Sequence, residues 1–469
     1  MASAAESPLS TAAFYDVTTV DPEIVKRRTD ELAARLTWPR ERILAHQQES
    51  LRAILRHAAG ASPYYRDTIA HLVASDAPLS AYPVMNKTIL MAEFDRIVTD
   101  PRLTRALVEQ HAGTRQAGHL LLGEYRVAST GGSSGQRGIF VYDQAAWELT
   151  VGNIRRMQRL LGLPPGARGL GIGAPSPVHL SNRFYAEGRV GLADAPCLSV
   201  TTPIEDVVEA LNRFRPDAIS TYPSFIRRLA EEQKAGRLKI APMAIRSVAE
   251  ALAPDVRDLA RATWNIPVTN NYSSTEAGIM GMECRLLNGI HLCEDMIVVE
   301  IVDEDNQPVP AGTTGSKALV TTLFNRTLPI IRYEFSDILT AIDGPCPCGC
   351  AFQRIKDIAG RREEMLHVWM PDGRSVEVHA PRFWFHLVRV PGIRQYQFAQ
   401  LPKGIAIRIV PGAGHDPETV RLAVDRIARA ALTELGAPEG HIEVQIVERI
   451  ERTGAGAKQN LVARPPIAH

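Results

Sequence analysis

The fold is constrained most by a regular alternation of short apolar runs and helix-like segments in the middle of the chain. Between residues 169 and 330, runs of strand length are separated by segments whose apolar residues recur at helical spacing. The clearest of these runs and helices are Gly169–Ala174, Ala218–Tyr222, Pro223–Lys234, Ile245–Val248 and Pro254–Trp264. Because such strand–helix alternation is typical of βαβ units, it predicts a mostly parallel sheet covered by helices.

The two ends of the chain differ from this middle part. Apolar residues recur at helical spacing around residues 43–58, so the N-terminal part predicts helices. Residues 297–342 predict mainly β-strands, and the C-terminal part alternates between strand and helix patterns. We therefore predict an α/β fold with a large N-terminal domain, residues 1–362, of helix-covered mixed β-sheets plus a β-barrel-like part. A small α+β domain, residues 363–469, is expected to follow it.

Composition narrows the class of protein. The chain has 469 residues, of which 45% are apolar and 22% charged, as in globular proteins. The net charge of +1 provides no general field that would attract nucleic acid or an anionic membrane. No apolar run reaches the length of about 18 residues that spans a bilayer, and the N-terminal MASAAESPLS has no signal-peptide pattern. We therefore expect a cytoplasmic protein whose partners are neither nucleic acid nor membrane.

The strongest local signal is a loop rich in glycine and hydroxyl side chains, Ser129–Gly135, with the sequence STGGSSG. Strand-like runs flank it at Leu120–Ala128 and Gly138–Tyr142. Glycines permit tight backbone conformations, and successive backbone N–H groups together with hydroxyls suit phosphate. The loop lacks the Gly-Lys-Ser/Thr of nucleotide hydrolases. It predicts a phosphate-binding loop of another kind, with a flexible linker as the alternative interpretation.

Three further motifs carry side chains suited to nucleotide chemistry. In NNYSSTEAG, Tyr272 offers a ring to stack on a base, and Glu276 beside the hydroxyl of Thr275 offers oxygen contacts to Mg²⁺ and phosphate. In RYEFSDI, Asp337 offers a carboxylate to ribose hydroxyls. Lys458, in a glycine-rich segment, supplies a cation that can neutralise developing negative charge. Taken singly, each motif is also compatible with a polar turn or a solvated side chain.

Taken in their order along the chain, these motifs resemble those of adenylate-forming enzymes, and the closest likeness is to the phenylacetate–coenzyme A ligase family. The resemblance covers most of the chain. It also includes AGASPYYR and YPVMNKTILMAEF near the N-terminus, Ala249-Glu250, Gly289-Ile290-His291, the CPCG element and Gly360-Arg361. Each motif is moderately specific, and their joint order is hard to obtain by chance.

The resemblance implies an ATP site in the large domain. The residues that it places around the ATP phosphates are Thr130, Gly131, Gly132, Ser133, Ser134 and Gly135. Those that it places around adenosine are Asn271 and Tyr272 at adenine, and Asp337 and Arg361 at ribose.

The resemblance also implies catalytic residues and a moving domain. Thr275 would touch the α-phosphate, Glu276 would hold Mg²⁺, and Lys458 would bridge the α-phosphate and the carboxylate of the acid during adenylation. The small C-terminal domain would be mobile and would turn about a hinge at Glu363 or Glu364 to admit coenzyme A.

The carboxylic acid is expected near Ser176–Glu187, Thr221–Phe225 and Ala249–Ala251. The residues predicted to bind it are Phe184, Tyr185, Tyr222, Ala249 and Glu250. Because aromatic walls suit an aromatic ring, an aryl acid is favoured. The alternative interpretation is that these rings belong to the hydrophobic core.

The cysteines suggest a separate metal site. Five of the six cysteines fall between residues 284 and 350, and such clustering in an intracellular chain favours a metal over disulfides. The residues predicted to bind a structural Zn²⁺ are Cys284, Cys346, Cys348 and Cys350. Since C-x-C-x-C departs from the usual C-x₂-C spacing, His291 or Cys293 could replace one of them. Reduced thiols in a tight turn are the alternative.

The expected reaction is the activation of a small, aromatic carboxylic acid as its acyl-adenylate with ATP and Mg²⁺, followed by transfer to coenzyme A. The sequence departs from the family pattern near Lys458, since Gly456 stands where another lysine is common. An alternative is therefore an adenylating enzyme of secondary metabolism that passes the acyl group to an amine, a carrier-protein thiol or another small nucleophile. The family likeness also suggests a homodimer.

Overall fold

The computed structural model describes residues 20–463 with gaps. The gaps are residues 115–117, 131–137, 165, 175, 188–197, 251, 362–364, 380–386, 388–389, 413 and 451–461. For Tyr185 and Arg361 the backbone is described and the side chain is not. None of the helices in the described ranges is long and apolar enough to cross a lipid bilayer.

Helices make up the N-terminal part, as predicted. Those described before the first strand are α1 (Pro22–Ala34), α2 (Arg40–Ala61), α3 (Pro63–Ala74), α4 (Lys87–Ala92), α5 (Phe94–Ile97) and α6 (Arg105–Ala112). The apolar residues at helical spacing in α2 are buried, which is why this face forms a helix. Helix α1 lies against α7 (Gln144–Leu160), where a Cβ on Gly152 would come within 2.9 Å of Arg28 Cβ. Only a glycine allows the two helices to approach this closely.

The central sheet is built from strands spread over half of the chain. Its strands are β3 (Gly169–Gly173), β4 (Leu198–Ser199), β5 (Ala218–Thr221), β6 (Ala244–Ser247), β7 (Val268–Ser274), β8 (Gly278–Glu283), β9 (Ile290–Leu292), β13 (Asp337–Ile342) and β14 (Arg354–Arg361). Within the described residues their order is β13-β14-β9-β8-β7-β6-β5-β3-β4. The pairs from β4 to β7 are parallel, and those from β7 to β13 are antiparallel. The predicted parallel sheet is thereby confirmed as one half of a mixed sheet.

The helices between the parallel strands cover this half of the sheet. They are α8 (Leu180–Glu187), α9 (Ile204–Phe214), α10 (Pro223–Lys234) and α11 (Pro254–Trp264). Strands β5 and β6 are buried along their whole length, as expected for parallel strands between helical layers. The side chains of α9, α10 and α11 form one apolar cluster with β3, β5 and β6.

Two smaller antiparallel sheets lie beside the antiparallel half. One is the hairpin of β1 (Arg126–Ser129) and β2 (Ile139–Tyr142), whose connection contains the predicted phosphate loop. The other consists of β10 (Ile297–Val302), β11 (Lys317–Thr322) and β12 (Tyr333–Phe335). Met85 forms a bridge to Tyr333, so the segment before α4 extends the edge of this second sheet.

The C-terminal part is an α+β unit, as predicted. It contains β15 (Met365–Trp369), β16 (Ser375–His379), β17 (Ile393–Leu401), β18 (Gly404–Pro411), α12 (Pro417–Glu434), β19 (Ile442–Ile446) and β20 (Val462–Ala463). The mixed α/β fold is thus confirmed. The predicted boundary between residues 362 and 363 falls in a gap of the description and stays a prediction.

Candidate active site

Two of the predicted nucleotide motifs are in contact through side chains on β7 and β13. Tyr272, near the end of β7, donates a hydrogen bond from its phenol to Asp337 Oδ2 at 2.9 Å. Both side chains are buried. Asp337 begins β13, and its Cα partner on the antiparallel strand β14 is Arg361. Tyr272 and Asp337 are 65 positions apart in the sequence. Together with Arg361, they are three residues predicted around adenosine that lie close to one another.

The turn between β7 and β8 is held from two sides by buried phenols. Tyr142, on β2, donates a 2.7 Å hydrogen bond to the carbonyl oxygen of Thr275. Tyr333, on β12, donates a hydrogen bond to the carboxylate of Glu276. Burial, and then the negative charge of Glu276, raise the pKa of both phenols well above the usual value, so both remain protonated donors. The predicted Thr275–Glu276 pair is thus fixed in place.

The base of the predicted phosphate loop belongs to the same hairpin as Tyr142. Thr130 N donates to the Gly138 carbonyl at 2.9 Å, and Gly138 N donates to Thr130 Oγ1 at 2.8 Å. These two hydrogen bonds close the hairpin at the base of the loop, and Tyr142 of the same hairpin contacts Thr275. The predicted loop residues outside the described part are Gly131, Gly132, Ser133, Ser134 and Gly135, and the predicted Lys458, Glu363 and Glu364 lie outside it as well.

Asn271 presents an unmatched acceptor beside Tyr272. Its side chain is 5% exposed, and among the described residues its Oδ1 has no hydrogen-bond partner. A buried polar atom without a partner is rare in folded proteins, because leaving it unpaired costs about 1–3 kcal/mol. This atom is therefore a natural contact for a ligand, at the position predicted for the edge of adenine.

Of the rings predicted to line the acid pocket, Phe184 lies close to the nucleotide motifs. It stacks on Trp147 with ring centroids 5.2 Å apart, and Trp147 in turn meets Tyr142 edge to face at 5.8 Å. A Cβ added to Gly278, two residues after Glu276, would lie 3.9 Å from the Phe184 ring. The neighbouring Tyr185 is described by its backbone alone.

The other predicted acid contacts have different surroundings. Tyr222 is fully buried in the core cluster of the parallel half, so its ring does not face an open pocket. Glu250 accepts hydrogen bonds from the backbone N–H and the hydroxyl of Ser224, both at 3.1 Å, in the first turn of α10. This contact satisfies a backbone donor that the helix start leaves unpaired.

Ala249 adopts a strained conformation at the carboxyl edge of the parallel sheet. It is exposed, its φ is 66°, and Glu250 N donates to the Val248 carbonyl across it at 2.8 Å. This is the rarer, strained form of the γ-turn. Strain of this kind persists where the surrounding structure enforces it and is common at ligand sites.

The structure corrects the predicted metal ligands. The side chains that come together are Cys284, His291, Cys346 and Cys348, whose ligand atoms all lie within 4.8 Å of one another. Cys350 belongs to a separate apolar cluster with Ile43 and Phe352. A tight turn separates the cysteines, since Gly349 has a φ of 88° and its N–H bonds to the Cys346 carbonyl. Cys350 therefore faces helix α2, and His291 takes its place.

Comparison with known proteins finds relatives of similar sequence and similar fold. No family model matches the chain. The phenylacetate-coenzyme A ligase of Thermus thermophilus is 24% identical over 380 residues, covering 76% of this chain and 78% of that protein. Among solved structures, 2-hydroxyisobutyryl-CoA ligase in the postadenylation state, in complex with R3-HIB-AMP, gives a TM-score of 0.70 at 20% identity, covering 92% of this chain and 91% of its own. The amide bond synthetase McbA of Marinactinospora thermotolerans gives 0.50 at 17% identity, covering 73% and 67%.

The chain is therefore similar in sequence to phenylacetate-coenzyme A ligases, and it shares the fold of acid–coenzyme A ligases of known structure.

The sequence analysis did not assign two residues of the candidate sites and left a third one open. Tyr142 and Tyr333 hold the turn that carries Thr275 and Glu276, although neither was a predicted site residue. Tyr333 lies within RYEFSDI, so the motif itself was a usable signal. His291 was considered as a substitute ligand, and its position on β9 between two cysteine-bearing loops explains why it joins the group.

Proposed function

We propose that this protein is an adenylate-forming ligase, which activates a small aromatic carboxylic acid as its acyl-adenylate with ATP and Mg²⁺ and then transfers the acyl group to coenzyme A. The observation that carries the proposal is the hydrogen bond from Tyr272 to Asp337, which joins the β13 motif to the β7 motif that also carries the Thr275–Glu276 turn. These residues come from motifs that the resemblance assigns to one nucleotide.

The chemistry of adenylation explains why such residues are needed. A carboxylate is a poor electrophile, and its attack on the α-phosphate brings two anions together. Glu276 offers the oxygen ligand that Mg²⁺ prefers, and it is held in a fixed position by Tyr333. When bound, Mg²⁺ neutralises charge on the phosphates. Thr275 lies next to Glu276 and would contact the α-phosphate, while Asp337 would accept hydrogen bonds from the ribose.

The aromatic nature of the acid is supported by the rings near Gly278. Phe184 and Trp147 are stacked, and the edge of Phe184 faces the start of β8 directly after Glu276. Gly278 has a φ of 70°, which favours glycine, so no side chain stands between this ring and the turn that carries Glu276. A flat aromatic acid suits such a surface better than a branched aliphatic acid.

The proposal is tested by ATP–pyrophosphate exchange with aryl and aliphatic acids of matched size, in the absence of any acceptor. We expect exchange with at least one aryl acid, and thioester formation when coenzyme A is added. If exchange occurs and thioester does not form, the acceptor is an amine, a carrier thiol or another nucleophile, and these are then supplied in turn. No exchange with any acid would contradict adenylation itself.

Asn271→Ala is expected to weaken the discrimination between ATP and its analogue lacking the adenine amino group, purine riboside triphosphate. The buried Oδ1 of Asn271 is in place to accept a hydrogen bond from that amino group. The variant should lose about tenfold in affinity for ATP and little for the analogue, as expected for one buried hydrogen bond. Equal losses for the two nucleotides, measured by calorimetry, would remove Asn271 from adenine recognition.

We also propose that Cys284, His291, Cys346 and Cys348 bind one structural zinc ion. With Zn–S bonds of about 2.3 Å, tetrahedral geometry separates two ligand sulfurs by about 3.8 Å, and a sulfur from an imidazole nitrogen by about 3.6 Å. The two sulfurs of Cys284 and Cys346 are 3.9 Å apart, and Cys348 Sγ is 3.5 Å from His291 Nε2. Three thiols and one imidazole therefore already have the spacing of a closed zinc site.

The segments that carry these ligands are held together by Arg354. This buried side chain donates to the Asn288 carbonyl at 2.7 Å and to the Gly344 carbonyl at 3.0 Å. Gly289 makes the approach possible, since a Cβ there would lie 2.4 Å from Ile342 Cδ1. The ion would fasten the irregular loop between β13 and β14 to the β8–β9 hairpin, which makes it a structural rather than a reacting ion.

Elemental analysis is expected to find one zinc per chain in protein purified without chelators. Cys284→Ser and Cys346→Ser should lose most of the zinc and unfold at a lower temperature, because each removes a ligand of a closed site. Cys350→Ser and Cys293→Ser are matched controls on buried cysteines outside the group, and they should keep it. Zinc loss in Cys350→Ser equal to that in Cys346→Ser would show that the ligand set is wrong.

A further inference from the structure

The contact between Tyr333 and Glu276 extends the proposed function to a residue that touches neither substrate nor metal. The ring of Tyr333 is 3% exposed, and its phenol donates to the carboxylate of Glu276, on a turn that belongs to a different sheet. A carboxylate that accepts a hydrogen bond from a buried donor is restricted to fewer orientations than a solvated one. Tyr333 therefore fixes the direction of Glu276 before any ligand binds.

The backbone around Tyr333 is itself held on both sides. Met85 N donates to the Arg332 carbonyl at 3.0 Å, and Glu334 N donates to the Met85 carbonyl at 2.8 Å. These two bonds enclose Tyr333 and anchor it to the segment before α4. The backbone of Tyr333 cannot shift away from Glu276 without breaking these hydrogen bonds.

Arg332 adds a second anchor from the same segment. Its φ is 46°, an uncommon conformation for a residue with a side chain. Its guanidinium donates to the carbonyls of Ser80 and Tyr82 at 2.9 Å and 2.6 Å, and to Glu300 Oε2 at 3.1 Å. The N-terminal segment YPVM thus braces β12 at the residue next to Tyr333.

We propose that Tyr333 is a positioning residue that orients the Glu276 carboxylate for Mg²⁺–ATP, with the segment around Met85 and Arg332 as its support. The inference rests on the proposed function, because it assumes that Glu276 holds the metal. Tyr142 acts on the same turn through the Thr275 carbonyl, so the Thr275–Glu276 pair is fixed at the backbone by one phenol and at the side chain by the other.

The test measures ATP binding by calorimetry, with Mg²⁺ and with the metal removed by a chelator. In the wild type, ATP is expected to bind more tightly when Mg²⁺ is present. Tyr333→Phe should reduce this Mg²⁺-dependent gain about 10-fold while leaving metal-free ATP affinity unchanged, because the ring remains and one hydrogen bond to a charged group is lost. In a Glu276→Ala background, the same substitution should have no further effect on the gain.

Tyr125→Phe is the matched control. Tyr125 is also buried and donates from its phenol to the carboxylate of Asp100 at 2.5 Å, so this variant likewise loses a phenol–carboxylate hydrogen bond. It should leave the Mg²⁺-dependent gain as in the wild type. An unchanged gain in Tyr333→Phe, or an equal loss in Tyr125→Phe, would overturn the positioning role. A wild-type chain that binds ATP without any gain from Mg²⁺ would overturn the metal role of Glu276 as well.

Discussion

Glu276→Gln is expected to slow acyl-adenylate formation about 100-fold, the typical effect of removing a group that stabilises transition-state charge. Glutamine has nearly the same shape and keeps an oxygen that can accept the hydrogen bond from Tyr333, so the turn between β7 and β8 should be preserved. The substitution removes the negative charge, and Mg²⁺ favours charged carboxylate ligands. Single-turnover formation of acyl-adenylate, followed over a range of Mg²⁺ concentrations, measures the loss.

Glu334→Gln provides a control for this experiment. Glu334 follows Tyr333 on β12, and its carboxylate is 39% exposed and pairs with Lys317 at 3.0 Å. Because glutamine keeps an oxygen that can accept from Lys317, and Glu334 has no proposed contact with Mg²⁺ or ATP, this variant should stay within about twofold of the wild type. The proposed role of Glu276 is wrong if the two glutamine variants are slowed equally. It is also wrong if Glu276→Gln forms acyl-adenylate at the wild-type rate at every Mg²⁺ concentration.

The order of the motifs, through the family resemblance, predicted that Tyr272, Asp337 and Arg361 lie around one nucleotide. Tyr272, near the end of β7, contacts Asp337, and the register of β13 with β14 pairs Arg361 with Asp337. The strand–helix alternation predicted only the parallel half of the sheet. Since β13 and β14 belong to the antiparallel half, the strand pattern alone did not indicate this contact.

Contacts between distant segments could not be predicted in this way. Tyr142 and Thr275 are 133 positions apart, and no local pattern indicates that a phenol on one hairpin reaches a carbonyl on another strand. The same is true of Tyr333 and Glu276. Both phenols occupy buried strand positions, where an aromatic residue is expected for its apolar surface alone.

Two predicted residues lie in surroundings that differ from the expectation, and the cause is similar. C-x-C-x-C alternation does not reveal which thiol the turn at Gly349 directs toward helix α2, and this turn separates Cys350 from the other thiols. Tyr222 was predicted as a substrate contact, and the structure places it directly before α10, buried in the apolar cluster of the parallel half. In each case the direction of a side chain depends on tertiary contacts that spacing does not encode.

Lys458→Ala is expected to reduce acyl-adenylate formation about 100-fold or more, through loss of a cation that stabilises the charge between two anions. Lys458 lies outside the described residues, so this prediction depends on the family resemblance and on the anionic character of both reactants. Adenylation forces a carboxylate against a phosphate, whereas the later attack on the acyl-adenylate displaces AMP from an activated acyl group. A cation that bridges carboxylate and phosphate is needed most in the first step.

The two half-reactions therefore distinguish a catalytic Lys458 from one that stabilises the fold. Supplied with synthetic acyl-adenylate, Lys458→Ala should transfer the acyl group at close to the wild-type rate, although it forms the adenylate slowly. Lys403→Ala removes an exposed lysine from the turn between β17 and β18 and should leave both steps unchanged. Because a general loss of stability would slow both half-reactions together, a loss confined to adenylation can arise only from charge at the reacting groups. Unchanged single-turnover adenylation in Lys458→Ala would remove the residue from the mechanism.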